Sequence, residues 1–183
     1  ENPPAEDQAF KTSIVVIAER AKLMSGRDVV AMILRGNILE VEDVEDDWFW
    51  VEWYHHKGWI HQRDVIPFED AIDYFTEAIR RNPSCTDYIC RANLLRNKGE
   101  YEMAIADFEE AIRLGPGRAD AYRNRAMLWG ITGEYDKAIA DLTEAIRLNP
   151  ENASADNRIA EAQSYYGRGL AWYCKDNHDQ AIA

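Results

Sequence analysis

The chain has 183 residues, 46% of them hydrophobic and 11% aromatic, enough apolar material for a folded core and too much for global disorder. Its 33 acids and 21 bases give a formal net charge of -12, spread evenly: residues 1–67 hold 13 acids and 7 bases, residues 68–183 hold 20 and 14. Nucleic acid and anionic membrane surfaces call for a local excess of Lys and Arg, so neither is an expected partner, and the longest uncharged apolar run, residues 13–18, is far too short for membrane insertion.

Residues 1–11 read as a polar, Pro-containing tail that begins without Met and shows no basic-then-apolar signal segment. Residues 12–66 then change rhythm. The stretches "SIVVIAE", "DVVAMIL", "GNILEVEDV", "DDWFWVEWY" and "GWIHQRDVI" are short, β-branched and aromatic, and Gly, Asp and Ser punctuate them. Five strands in so few residues predict a compact barrel or sandwich.

Within it, "GNILEVEDVEDDWFWVE" (36–52) followed by "GWIHQRDVI" (58–66) resembles the back half of SH3 domains. There a G-D-x-L strand, an acidic hairpin tip, a Trp pair and a closing segment occur in that order. The short front, "ERAKLMSGRDVVAMILRG", looks more like the bacterial SH3-type domains. The resemblance implies a surface centred on Trp48. His61 and Asp64 stand where the Pro and Tyr of Pro-rich-peptide grooves occur, which argues against that ligand. Bacterial SH3-type domains often accompany cell-wall enzymes, so the resemblance also implies a bacterial source, an extracytoplasmic setting, and cell-wall or partner recognition beside a separate catalytic region.

After Pro67, "FEDAIDYFTEAIRRNP" predicts a helix over 68–82 with no Gly/Ser linker before it. It reads as the second member of a helix pair whose first is missing. The barrel is expected to cover it through Phe68, Ile72 and Phe75.

The rest of the chain is periodic. "AIADFEEAIRLGP" at 104–116 and "AIADLTEAIRLNP" at 138–150 share ten of thirteen letters at an offset of 34 residues. Apolar positions 104, 105, 108, 111 and 112 follow a helical stripe, and Gly115 or Asn149 before Pro predicts a left-handed helix stop. Upstream lie a second helical stretch and a Gly-containing turn, "KGEY" or "TGEY", so the unit is helix, turn, helix, stop. One such pair cannot bury both flanks, and stacking neighbours solves that need.

These units resemble the tetratricopeptide (TPR) repeat through Tyr88, Ala92, Leu95, Gly99, Tyr101, Ala104, Phe108, Ala111 and Pro116, and through Tyr122, Ala126, Trp129, Gly133, Tyr135, Ala138, Leu142, Ala145 and Pro150. The expected class is therefore α+β and multi-domain, a small SH3-like β-barrel followed by an all-α TPR superhelix. Its parts are a tail (1–11), the barrel (12–66), the orphan helix (68–82), repeats at 85–116 and 119–150, and a partial elongated repeat (153–183). In that last unit Ala181 follows Ala138 by 43 residues. The nine extra letters predict a first helix lengthened by about two turns, capped at Ser154 or Asp156 and ending near Cys174. Because the chain stops inside a repeat, a longer natural protein is expected.

Recurring Arg91 and Arg125 (with Arg168 in the displaced unit) and Asp107 and Asp141 predict structural ion pairs between paired helices. The TPR resemblance implies a concave face lined by first helices, here Ile89, Asn93, Arg96, Asn97, Arg123, Asn124, Met127, Tyr166, Leu170 and Tyr173. Amides, arginines and aromatics there fit an extended peptide. Asn93 and Asn124 match the amides of carboxylate-clamping TPR domains, but Ile89, Gln163 and Gly167 occupy the cationic places.

No cofactor, metal or catalytic role is expected. Three cysteines make no disulfide framework, and a Cys85–Cys90 bridge on one helix would be strained. His55 and His56 are adjacent on a strand and point to opposite faces, so at most one joins His61 and Asp64. The acids of 40–47 lack a calcium-loop spacing, and no nucleophile or phosphate-binding motif occurs. The predicted function is a non-catalytic protein- or peptide-binding adaptor or scaffold. Self-association through the open last repeat is a further expectation.

Overall fold

The computed structural model describes residues 12–148 and 155–182, and in the last helix the side chains of 161–176. The N-terminal tail, Asn149, Pro150 and the predicted cap at Ser154 lie outside the described residues. The chain divides into two compact units, residues 1–78 and 79–183.

The first unit contains β1 (Thr12–Val16), β2 (Arg20–Ser25), β3 (Asp28–Leu34), β4 (Ile38–Glu45), β5 (Trp48–Trp53), β6 (His56–His61) and β7 (Val65–Pro67), followed by the start of α1 (Phe68–Arg81). All seven strands pair antiparallel in one sheet of order β3-β2-β6-β5-β4-β1-β7. The sheet is open, with β3 and β7 at its edges, so the expected closed barrel is corrected to an open seven-stranded sheet. Two strands separate five from seven. In β2, Ala21 and Leu23 point inward while Arg20 and Lys22 stay exposed, a period-two pattern over only four letters. The last predicted strand is broken by a 3-10 turn at Gln62–Asp64, where His61 Nδ1 accepts from the Arg63 N–H at 3.2 Å.

Every strand contributes to one core: Ile14 and Val16, Leu23, Ile33, Leu39 and Val41, Val51, Ile60 and Val65. A sheet whose seven strands share one cluster must curl around it. Ala71 and Phe75 of α1 are fully buried, and the Arg35 guanidinium lies 5.5 Å from the Tyr74 ring and 5.2 Å from that of Phe75. Phe68 and Ile72, expected to share that role, are half-buried.

The second unit comprises α2 (Cys85–Asn97), α3 (Tyr101–Leu114), α4 (Ala119–Ile131), α5 (Tyr135–Arg147) and α6 (Ala155–Ile182). Ser84 caps α2, its Oγ accepting from the Asp87 N–H at 3.1 Å. The turns inside the hairpins use Gly99 at φ 81° and Gly133 at φ 82°, the left-handed region that a Cβ disfavours. There the Glu100 N–H donates to the Leu95 carbonyl at 2.9 Å and the Glu134 N–H to that of Trp129 at 2.8 Å, closing each first helix.

The stop after α3 works differently from expectation. Gly115 sits at φ -141° and is not left-handed. Pro116 disfavours helical geometry at the residue before it, and glycine is needed for space: an added Cβ would stand 3.2 Å from Cys85 Sγ. Beside it Arg118 pairs with Asp120 at 2.7 Å and reaches Thr86 Oγ1 at 3.4 Å, tying the loop to the start of α2.

Small residues set the helix spacing. Ala104, Ala111, Ala138 and Ala145 are buried, with Phe108, Leu128 and Leu142 filling the space between. The last helix departs from the prediction by running on to Ile182 instead of ending near Cys174. Its residue equivalent to Gly99 and Gly133 is Asp176, so the turn-forming glycine is missing and the helix continues.

Replacing Gly99 or Gly133 with Ala is expected to destabilise the protein by about 1–2 kcal/mol, the cost of a left-handed Cβ. Gly117→Ala, where the Cβ meets nothing within 4 Å, should be neutral or slightly stabilising. Urea denaturation checks the contrast.

Candidate functional site: a groove on the first-helix face

The hairpins are locked from inside. Asp107 and Asp141 are each only 6% exposed, and an isolated carboxylate so buried would be costly. Arg91 Nε and Nη2 donate to Asp107 at 2.7 and 2.6 Å, and Arg125 Nε and Nη2 donate to Asp141 at 2.8 and 2.7 Å. Two parallel bonds to one planar carboxylate fix both distance and rotation between first and second helix. The hydrogen-bonded carboxylate pushes each arginine's pKa up. Each guanidinium also lies over a tyrosine one turn earlier, Tyr88 at 5.7 Å and Tyr122 at 5.8 Å. Arg168 keeps the tyrosine (Tyr165, 5.3 Å) and meets Thr143 Oγ1 of the preceding helix at 3.4 Å.

That lock turns the opposite flank of the first helices outward. Between α4 and α6 lies a groove of about 540 Å³ lined by Arg123, Asn124, Ala126, Met127, Gly130, Ile131, Tyr135, Ala138, Leu142, Gln163, Gly167, Leu170, Ala171 and Cys174. Its floor is the small-residue core of Ala126, Ala138, Leu142 and Ala171. Its polar groups gather at the Arg123, Asn124 and Gln163 end, while Met127, Ile131 and Leu170, each about half exposed, form an apolar wall.

Of the ten residues expected on the concave face, the groove brings together Arg123, Asn124, Met127 and Leu170. Tyr166 and Tyr173 stay outside it, at 75% and 67% exposure on α6. Asn93, Arg96 and Asn97 lie on α2, one repeat earlier; Ile89, also expected on this face, is buried. Gly130, Ile131 and Cys174 line the groove without having been expected there. The signal was present, because they occupy the repeat positions of Arg96, Asn97 and Asn97 respectively.

On α2, Asn93 Oδ1 is buried without a hydrogen-bond partner, and burial alone lowers the pKa of the half-buried Arg96 guanidinium. Neither Arg96 nor Arg123 has a carboxylate within ion-pair distance among the described residues.

The sheet carries a second surface. Its register places Asp43, Trp50, Trp59 and Met24 in one cross-strand row and Glu45, Trp48 and His61 in another. Trp50 and Trp59 meet edge-to-face at 5.1 Å, and Trp48 lies 4.8 Å from the His61 ring. A depression of about 550 Å³ beside them is lined by Met24, Gly26, Arg27, Glu45, Asp46, Trp48 and Trp59. None of the three cysteines is in a disulfide. No group of three or more metal-ligating side chains occurs among the described residues.

The tetratricopeptide repeat family model matches residues 91–153 and 132–163. No curated protein matches the chain. Among solved structures, MamA is 25% identical with a TM-score of 0.52 over 63% of this chain, which spans 58% of the MamA chain. The TPR2B domain of yeast Sti1, solved in complex with pHsp70, is 28% identical with a TM-score of 0.51, over 56% of this chain and 83% of that one. SycD from Yersinia enterocolitica, solved with a peptide of the translocator YopD, shares the fold at 15% identity and a TM-score of 0.54, over 59% of this chain and 82% of its own. Residues 91–163 thus carry tetratricopeptide repeats, and this part of the chain shares its fold with the tetratricopeptide domain of Sti1.

Removing one partner of a locking pair, as in Asp141→Ala, should cost about 3–5 kcal/mol by stranding a buried guanidinium. The double variant Arg125→Met with Asp141→Leu should recover most of that loss, as read by urea denaturation.

Proposed function

We propose that this chain is a non-catalytic adaptor whose first-helix face holds an extended peptide segment of a partner protein. The observation that supports this most is the groove between α4 and α6, apolar along its wall and polar at one end. A peptide needs that division: apolar side chains leave water, while amides and arginines meet its backbone and acids. The contacts proposed are Arg123, Asn124, Met127 and Leu170 in the groove, Tyr166 and Tyr173 beside it on α6, and Asn93, Arg96 and Asn97 continuing it on α2. The likeness to Sti1 and SycD, each solved with a partner, points the same way.

A second reading rests on the aromatic rows of the sheet. The SH3-like resemblance would make Trp48 the centre of a surface recognising cell wall or a partner, as an accessory to a catalytic region elsewhere. Half-buried Trp48 and Trp59, lining a depression beside Glu45 and Asp46, favour it.

One display experiment separates the two. Peptides selected from a random library on the whole protein should lose at least about tenfold in affinity with Arg123→Glu plus Leu170→Ala, the scale of one charged and one apolar contact. They should be indifferent to Trp48→Ala. The reverse pattern would move recognition to the sheet and remove the helical face from the account.

A further inference from the structure

The first-helix face changes character along the repeats, from α2 to the groove between α4 and α6, which narrows the ligand beyond "a peptide". Stepping from α2 through α4 to α6 at equivalent helix positions gives three rows: Asn93, Met127, Leu170; then Arg96, Gly130, Tyr173; then Asn97, Ile131, Cys174. At the α2 end each row starts with an amide or a cation. Over α4 and α6 each becomes apolar or vacates space.

Gly130 is the clearest case of vacated space. It lines the groove, and a Cβ built on it meets nothing within 4 Å. Gly167 also lines the groove, one turn before Leu170 on α6, and a Cβ there would meet only the Leu142 methyls, at 3.4 and 3.8 Å. Glycine costs an α-helix about 1 kcal/mol relative to alanine, and neither residue sits at a left-handed turn, so local geometry gives no reason for either. Together they leave room for a bulky side chain between Met127 and Leu170.

Charge supplies the other half. The chain carries -12 overall, yet Arg96 and Arg123 face no carboxylate within ion-pair distance among the described residues. Every other arginine of α2 and α4 has one: Arg91 pairs with Asp107 and Arg125 with Asp141. Asn93, one turn before Arg96, buries Oδ1 without a donor. A half-buried cation without a carboxylate suits a ligand that brings one, and turning the Asn93 amide outward would offer its Oδ1 to a ligand N–H as well.

We infer that the preferred ligand is an extended peptide with a bulky apolar side chain seated against Gly130 and Gly167 and an acidic side chain one repeat away, read by Arg96 and Asn93. The inference rests on the peptide-binding reading above. Arg96 and Gly130 are its specificity-determining residues; Arg123 serves either kind of peptide.

The probes are fluorescein-labelled ten-residue peptides with a central Leu-Phe pair and an Asp pair at one end or the other, together with versions in which Asp becomes Asn or Leu-Phe becomes Ala-Ala. Anisotropy titrations on the whole chain should show one Asp peptide binding best, and Asp→Asn should weaken it about tenfold, the scale of a charge-assisted hydrogen bond. Arg96→Gln should erase that difference while leaving the Asn peptide unchanged. Gly130→Leu, which fills the groove and favours the helix, should abolish binding of both. Equal affinity for the Asp and Asn peptides with Gly130→Leu still abolishing it would overturn the proposed ligand class while leaving the groove as the site. Binding indifferent to both Gly130→Leu and Arg96→Gln would overturn this inference and the function it rests on.

Discussion

Two carboxylates that cannot be left alone organise the helical unit. Asp107 and Asp141 are almost out of water, and each accepts two hydrogen bonds from one edge of an arginine. Such a contact tolerates little sliding or rotation, so it fixes how the second helix of each pair lies on the first. Small residues then decide how near the next pair comes. With orientation and spacing both set, one flank of each first helix has no neighbour to cover it. The groove follows from that geometry and needs no loop or lid of its own.

The sheet solves a different problem with different means. Its seven strands have too few residues for two layers, so they curl one sheet around a single cluster drawn from every strand. Alternation then forces Trp48, Trp50 and Trp59 onto the far side, in line with Glu45 and Asp43. Both units therefore leave a distinct surface beyond their cores: in the helices a groove with Arg123, Asn124 and Gln163 at one end, on the sheet an aromatic row edged with acid.

The helices were the more legible part of the sequence. A 34-residue echo with Gly at the turns announces its own architecture, and the Arg and Asp positions echo with it. The groove was half legible. Residue type on the first-helix face points to Arg123, Asn124, Met127 and Leu170, whereas Gly130 marks the groove only by the space it leaves and Ile131 only by its place in the repeat. The same periodicity that located Arg96 and Asn97 would have led to both. What sequence could not supply was tertiary: β2 alternates over too few letters to stand out, the role of Gly115 is proximity to Cys85, and α6 is longer than predicted since a missing glycine leaves no mark as plain as a present one.

The account stands or falls on where a bound peptide shields the backbone. Amide hydrogen exchange, with and without a saturating peptide recovered by display, measures this directly. Slowed exchange centred on residues 123–131 and 163–174, with α3 and the strands unchanged, is the predicted result. Slowing confined to α3 or to the strands would contradict it.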